Sequence, residues 1–245
     1  MARKKIAVFA AAASAWTSFL EKYFSDVPAR VLFSRDRNSA FTLFSKELPS
    51  MVFTAPGYLS LPLLQKIRVQ TQTDRNFRCY FLAEGPAAKP DPVFRAGFSL
   101  PDSAGFEKKW IETLPLPDII KLLVVDDEGE IAATVRDYLD GKTRPAFEVM
   151  SAANGSEALD RMARTRPDAV LLDIKMPVMD GRECYAEIRR RWPDLPVIVF
   201  FDSVSGEELA DIRRHGNPPV VEKGGHSGSM PALTALIKKT VYFGV

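Results

Sequence analysis

From Ile119 onward, short apolar runs alternate with longer segments in which apolar residues recur three or four positions apart. The runs Ile119 to Val125, Ala146 to Ser151, Ala169 to Leu172, Val197 to Phe201 and Val220 to Val221 read as strands, since continuous apolar runs of this length suit strands buried on both faces. The segments 129–140, 155–165, 181–191, 205–215 and 229–241 read as amphipathic helices. Five strand-helix alternations imply a parallel sheet with helices on both faces, because right-handed crossovers place them there.

The first half keeps the same rhythm. Lys5 to Ala10 precedes Lys121 to Asp126 by 116 positions, and Pro49 to Ala55 precedes Pro167 to Asp173 by 118. Arg78 to Ala83 precedes Pro196 to Phe201 by the same 118. A nearly constant offset across most of a domain indicates two copies of one fold. Leu114-Pro115-Leu116-Pro117 interrupts the pattern between them, since each residue before a proline is steered away from helix. The expected domains are therefore 1–116 and 117–245, both α/β and doubly wound. In the first, Phe41, Phe44 and Leu48 read as core, Lys66 to Arg78 as a solvated helix end and loop, and Gly85 to Pro92 as a loop. Ser103 to Thr113 reads as a terminal helix packing Phe106, Trp110 and Leu114.

Composition narrows the classes. The chain has 245 residues, 46% hydrophobic and 26% charged, and contains no uninterrupted apolar stretch of about 18 residues. This excludes collagen-like, disordered and membrane-channel classes, and a cytoplasmic location is expected. Arg3-Lys4-Lys5 followed by Ile6 to Trp16 imitates a secretory leader, yet the same residues suit a buried strand running into a first helix. Two cysteines, Cys79 and Cys184, make no disulfide framework, and with His215 and His226 they make a poor zinc set. The net charge of +2 conceals an asymmetry. Residues 1–117 carry 16 Lys/Arg against 10 Asp/Glu, a balance of +6, and residues 118–245 carry 17 against 21, a balance of −4. The basic residues are scattered rather than clustered, so neither nucleic acid nor membrane is expected as a partner.

Three acids of the second half fall where strands end: Asp126 and Asp127 after one, Asp173 after another. Taken alone, Asp126-Asp127 also suits capping of the helix that follows. In an open parallel sheet of order 2-1-3-4-5, the flavodoxin-like arrangement, the first and third strands are neighbours and ligands gather beyond their carboxyl ends. The three acids then converge, with Lys223 after the fifth strand on the same edge. Crowded carboxylates call for a hard divalent cation with oxygen ligands, of which Mg²⁺ is the usual choice for phosphate chemistry.

The run Asp173-Ile174-Lys175-Met176-Pro177-Val178-Met179-Asp180-Gly181, 46 residues after Asp127 and 50 before Lys223, resembles the phosphoacceptor loop of response regulator receiver domains of bacterial two-component systems. The resemblance covers about 120 residues. It implies two flavodoxin-like (βα)5 domains, the second with Asp173 as a carboxylate nucleophile phosphorylated by a sensor histidine kinase or histidine phosphotransfer protein. It implies Mg²⁺ held by Asp127, Asp173 and the Lys175 backbone carbonyl, with Asp126 assisting through water and Lys223 pairing with acceptor and phosphoryl. Met176-Pro177 and Asp180-Gly181 read as structural. Such a protein accepts and loses a phosphoryl group without being an enzyme in the ordinary sense.

The departures from the family pattern fall at its switch. Phe201 stands where a Ser or Thr bonds the phosphoryl, Asp202 where a small residue is usual, Val220 where an aromatic residue moves, and Gly224 where a proline follows the lysine. Ser203 supplies the hydroxyl only if the strand end shifts by two residues. Phosphate acceptance without the usual rotamer switch is the expectation.

In the first half the offsets place Ala10, Ala11 and Ala55 at the acidic positions, and matching Asp91 to Ala96 with Pro218 to Lys223 places Ala96 at the lysine, with Arg95 beside it, the pattern of a degenerate receiver whose role is interaction. Few residues, ending in Gly244 and Val245, follow the last helix by this reading, so output is expected to run through contacts with an unidentified downstream protein. A truncated input module of a tandem-receiver diguanylate cyclase, an unphosphorylated scaffold pair and a homodimer stay open. A phosphatase with an aspartate nucleophile fits poorly, since Lys175 stands where such enzymes want a second acid.

Overall fold

The computed structural model describes residues 4–25, 29–34, 36–83, 91–99, 103–141, 143–224 and 229–244. Contacts divide the chain into two compact units, Ala2–Pro115 and Leu116–Val245. In the first, β1 (Lys5–Phe9), α1 (Ala15–Tyr23), β2 (Arg30–Ser34), α2 (Arg37–Glu47), β3 (Met51–Thr54), α3 (Leu61–Thr73), β4 (Arg78–Leu82), β5 (Ala96–Phe98) and α4 (Ser103–Ile111) follow in order. The second runs β6 (Ile119–Val125), α5 (Gly129–Leu139), β7 (Ala146–Ala152), α6 (Gly155–Arg164), β8 (Ala169–Leu172), α7 (Gly181–Arg191), β9 (Val197–Phe201), α8 (Gly206–His215), β10 (Val220–Glu222) and α9 (Met230–Phe243).

Both sheets are wholly parallel, with orders β2-β1-β3-β4-β5 and β7-β6-β8-β9-β10. These are two flavodoxin-like α/β folds of order 2-1-3-4-5. The period-2 geometry of strands sorts the second sheet's apolar residues onto two faces. Leu123, Val125, Val170, Leu172, Val197 and Val199 pack with Leu159, Met162, Cys184, Ile188 and Ile212 from α6, α7 and α8. Leu122, Val124, Leu171, Ile198 and Phe200 pack with Val135 and Leu139 of α5 and Leu233 and Ile237 of α9. Burial on both faces explains why these strands read as continuous apolar runs.

The ladders bear on the repeat. Ala7 pairs with Val52 and Val52 with Cys79, as Leu123 pairs with Val170 and Val170 with Val197. The Ala55 N–H donates to the Phe9 carbonyl at 2.8 Å, as the Asp173 N–H donates to Val125 at 2.9 Å. The offsets of 116 and 118 are thus offsets of sheet register. The fifth strand breaks the sequence-based correspondence. Leu82 pairs with Phe98 where Phe200 pairs with Val221, so the counterpart of Lys223 is position 100, outside the described residues, rather than Ala96.

The first unit fills one face of its sheet with rings. Trp16, Phe24, Phe53, Tyr80, Phe98, Phe106 and Trp110 are all buried and meet at centroid separations such as 4.8 Å for Phe53 and Tyr80 and 4.6 Å for Phe98 and Phe106. The Trp16 indole N–H donates to the Ala83 carbonyl just past β4, at 2.9 Å. Phe44 is buried and Phe41 packs against the core of the other face, with Leu63 and Ile67 of α3. Leu48 departs from expectation. It ends α2 at φ 47°, in the left-handed region, and that turn points its side chain into solvent, 64% exposed. The Gly85 to Pro92 loop falls mostly outside the described residues.

Candidate phosphoacceptor site

β6 and β8 are adjacent, and the residues that leave them first are Asp126, Asp127 and Asp173. One carboxylate oxygen from each lies within 4.8 Å of the others. The Lys223 ammonium, directly after β10, sits among them, 2.9 Å from Asp126 Oδ2 and 3.1 Å from Asp173 Oδ1. The Asp126 side chain is 2% exposed and those of Asp173 and Lys223 are 7% each. Asp127 is exposed.

Each group is held. Asp126 Oδ1 accepts the Glu128 N–H at 3.0 Å, so its second oxygen is the one turned to Lys223. This bond also serves the entrance to α5, whose flanking Glu128 gives no side-chain cap. Asp173 Oδ2 accepts the Lys175 N–H at 3.0 Å. The loop after Asp173 turns back on itself through Val178 at φ 71°, a costly conformation for a β-branched residue, and ends where the Gly181 N–H meets the Ile174 carbonyl at 2.9 Å. Gly181 tolerates no side chain, because a Cβ there would overlap the Asp173 carbonyl and lie 2.7 Å from Ile174 Cα. Asp180 caps α7 through the N–H groups of Arg182 and Glu183. Met176 is buried in the core.

Burial and the neighbouring Asp126 charge hold the Asp173 carboxyl above its ordinary value, although Lys223 and the Lys175 N–H pull the other way. Burial disfavours the Lys223 ammonium, but its bond to Asp126 and the charges of Asp173 and Asp126 outweigh that and push it up. Burial thus dominates at Asp173 and the paired carboxylates dominate at Lys223, whose shortest contact is with Asp126.

The atypical positions are resolved. β9 ends at Phe201, paired with Glu222, so the strand end is not shifted. Phe201 and Val220 both pack against the core, and neither offers a hydroxyl or a mobile ring beside the acids. Ser203 nonetheless reaches the cleft, and its hydroxyl accepts a hydrogen bond from Lys175 Nζ at 3.0 Å. Asp202 points inward, with Oδ2 3.3 Å from Lys223 Nζ, although its side chain is 65% exposed. Gly224 has φ 71°, which proline cannot adopt. Sequence reasoning gave the Lys175 ammonium no contact in the cleft and Glu128 no part; their places there depend on loop paths that no residue pattern reveals. Asp127, Glu128, Asp173, Lys175, Asp202, Ser203 and Lys223 line a cavity of about 220 Å³.

An all-oxygen donor set gathered within 4.8 Å is of the kind that suits a small hard cation. The site gathers carboxylates and holds one Asp173 oxygen beside a fixed ammonium.

Residues 122–229 match the response regulator receiver domain. Relatives over this stretch include the response regulator MprA of Mycobacterium sp. (strain KMS), 41% identical over 123 residues, which are 49% of this chain and 52% of that protein. The protein-glutamate methylesterase/protein-glutamine glutaminase of Geobacillus kaustophilus is 42% identical over 90 residues, 36% of this chain and 25% of that one. The chain thus spans about half the length of the MprA relatives it matches, and less of the methylesterase. Solved structures similar to it include a CheY-like receiver domain protein from Methanospirillum hungatei JF-1, 24% identical, TM-score 0.46, covering 50% of this chain and 94% of that one. Chemotaxis protein CheY4 of Vibrio cholerae is 26% identical, TM-score 0.44, covering 50% and 98%. Among the described residues no helix is long and apolar enough to cross a membrane.

Proposed function

We propose that the receiver unit, 117–245, is the phosphoacceptor of a two-component response regulator, charged at Asp173 by a sensor histidine kinase or histidine phosphotransfer protein. The observation that carries this is Asp173, buried and 3.1 Å from the Lys223 ammonium on the wall of a cleft open to solvent. In the transfer an Asp173 carboxylate oxygen attacks phosphorus, the P–N bond of the donor phosphohistidine breaks, and its electron pair stays on the imidazole. Lys223 meets the charge on the phosphoryl oxygens, and the Lys175 N–H keeps the other Asp173 oxygen oriented. Asp127, Asp173 and the Lys175 carbonyl would hold Mg²⁺, with Asp126 assisting through water. The metal, when bound, neutralises phosphoryl charge and aligns its oxygens.

The first unit, 1–116, is a degenerate receiver in this reading. Its ladder positions matching Asp126, Asp127 and Asp173 are Ala10, Ala11 and Ala55. Without charge to neutralise it needs neither metal nor phosphate, and its role is contact with other proteins. With Phe201 and Val220 packed into the core, the receiver unit signals without the usual hydroxyl-aromatic exchange, to an unidentified downstream protein.

Incubation with acetyl phosphate and Mg²⁺, followed by intact mass, should add one phosphoryl to the chain and none to Asp173→Asn. No label at any Mg²⁺ concentration would leave the unphosphorylated scaffold as the reading.

A further inference from the structure

Lys223 has three N–H donors and three carboxylate partners: Asp126 at 2.9 Å, Asp173 at 3.1 Å and Asp202 at 3.3 Å. Hydrogen bonds to Asp126 and Asp173 hold the ammonium, and Asp202 stands within ion-pair distance on its remaining side, before any phosphoryl group arrives. A phosphoryl on Asp173 brings up to two negative charges and three acceptor oxygens to this cleft, and one donor of Lys223 must turn to it. Asp126 cannot give way, being 2% exposed and tied by the Glu128 N–H. Asp173 carries the incoming group. Asp202 is the partner able to leave, because it is 65% exposed and lies beyond the end of β9 and before α8.

We propose that Asp202 is an internal competitor, a carboxylate that occupies on Lys223 the place a phosphoryl oxygen takes, and so slows phosphoryl uptake and is expelled when uptake succeeds. This rests on the phosphoacceptor reading and adds a positioning residue that acts through Lys223. With acetyl phosphate as donor, an Asp173 oxygen bonds to phosphorus, the bond from phosphorus to the acetyl oxygen breaks with its electron pair, and acetate leaves. No proton, oxidant or reductant enters, and Asp202 changes only its partner. Because Asp202 stands at the solvent rim, its influence is that of a screened charge, roughly fivefold in rate.

The test compares phosphorylation rates of the full chain and Asp202→Asn, an isosteric change without the charge, at saturating Mg²⁺ with acetyl phosphate, read by intact mass. At low salt Asp202→Asn should label about fivefold faster, and the gap should narrow at about 0.5 M salt, where screening acts within a few ångströms. Equal or slower labelling of Asp202→Asn overturns the proposal, as does a gain that high salt leaves unchanged, since shape rather than charge would then be responsible. Label on Asp202→Asn alone supports it in its strongest form. Label on neither protein overturns the phosphoacceptor reading beneath it, and label on the double variant Asp173→Asn/Asp202→Asn places the phosphoryl elsewhere and overturns both.

Discussion

Replacing Lys223 by methionine keeps the length of the side chain and removes the cation between Asp126 and Asp173. Two carboxylates 2% and 7% exposed, with oxygens within 4.8 Å of one another, are then left without compensation. The cheapest escape is to protonate Asp173, which burial and Asp126 already push upward. Holding a proton at pH 7 on a group whose unfolded pKa is about 3.9 costs about 4 kcal/mol, at 1.36 kcal/mol per pH unit. That agrees with the roughly 3–5 kcal/mol usually lost when one partner of a buried ion pair is removed. The sign with pH is determined. In the variant the folded state holds a proton that the unfolded state releases above about pH 4, so stability falls as pH rises through the range from there to the folded value. Calorimetry of the whole chain should show the transition of Leu116–Val245 lowered by about 10–20 °C at pH 7, by much less at pH 4.5, and partly restored by Mg²⁺. The transition of Ala2–Pro115 should not move. A shift below about 3 °C at pH 7, or one that does not grow between pH 5 and pH 7, would refute the reasoning.

Other outcomes follow from single contacts. Gly181→Ala should lower the stability of the receiver unit by about 3 kcal/mol or more and abolish labelling by acetyl phosphate, because the added methyl overlaps backbone at Asp173 and Ile174; urea titration and intact mass read the two effects. Trp16→Phe should cost the first unit about 1–3 kcal/mol by leaving the Ala83 carbonyl unpaired, with no change in Asp173 labelling. Neither cysteine should react with Ellman's reagent at pH 8 until urea unfolds the chain, since both are buried and burial pushes the Cys184 thiol up to about 12; a fast native reaction at either would refute it.

Much of this architecture was legible because of burial. β6, β8 and β9 have the limits that their apolar runs predict, since strands covered on both faces over most of their length carry few polar positions to blur their ends. The three acids and Lys223 were legible because a parallel sheet brings the carboxyl ends of its strands to one edge. β2 was not, since at a sheet edge Arg30 is exposed, Val31 to Phe33 are only partly buried and the buried Ser34 is polar, which leaves little periodic signal. β5 is three residues, Ala-Gly-Phe, too short to fix register by pattern, and so Ala96 was matched to Lys223 in error. Leu48 was misplaced because a helix-spaced apolar residue at a C-cap follows the turn rather than the helix. The direction of Asp202 lies in loop geometry, which composition does not encode.

The ring-filled face of the first unit gives it a stability owed to its own side chains, whereas the receiver unit keeps buried charges whose balance any bound cation or phosphoryl alters. A single thermogram of this protein should then contain a thermometer and its fixed point. On the proposed function, one transition should drift with magnesium, donor and pH, and the other should serve as the internal reference against which that drift is measured.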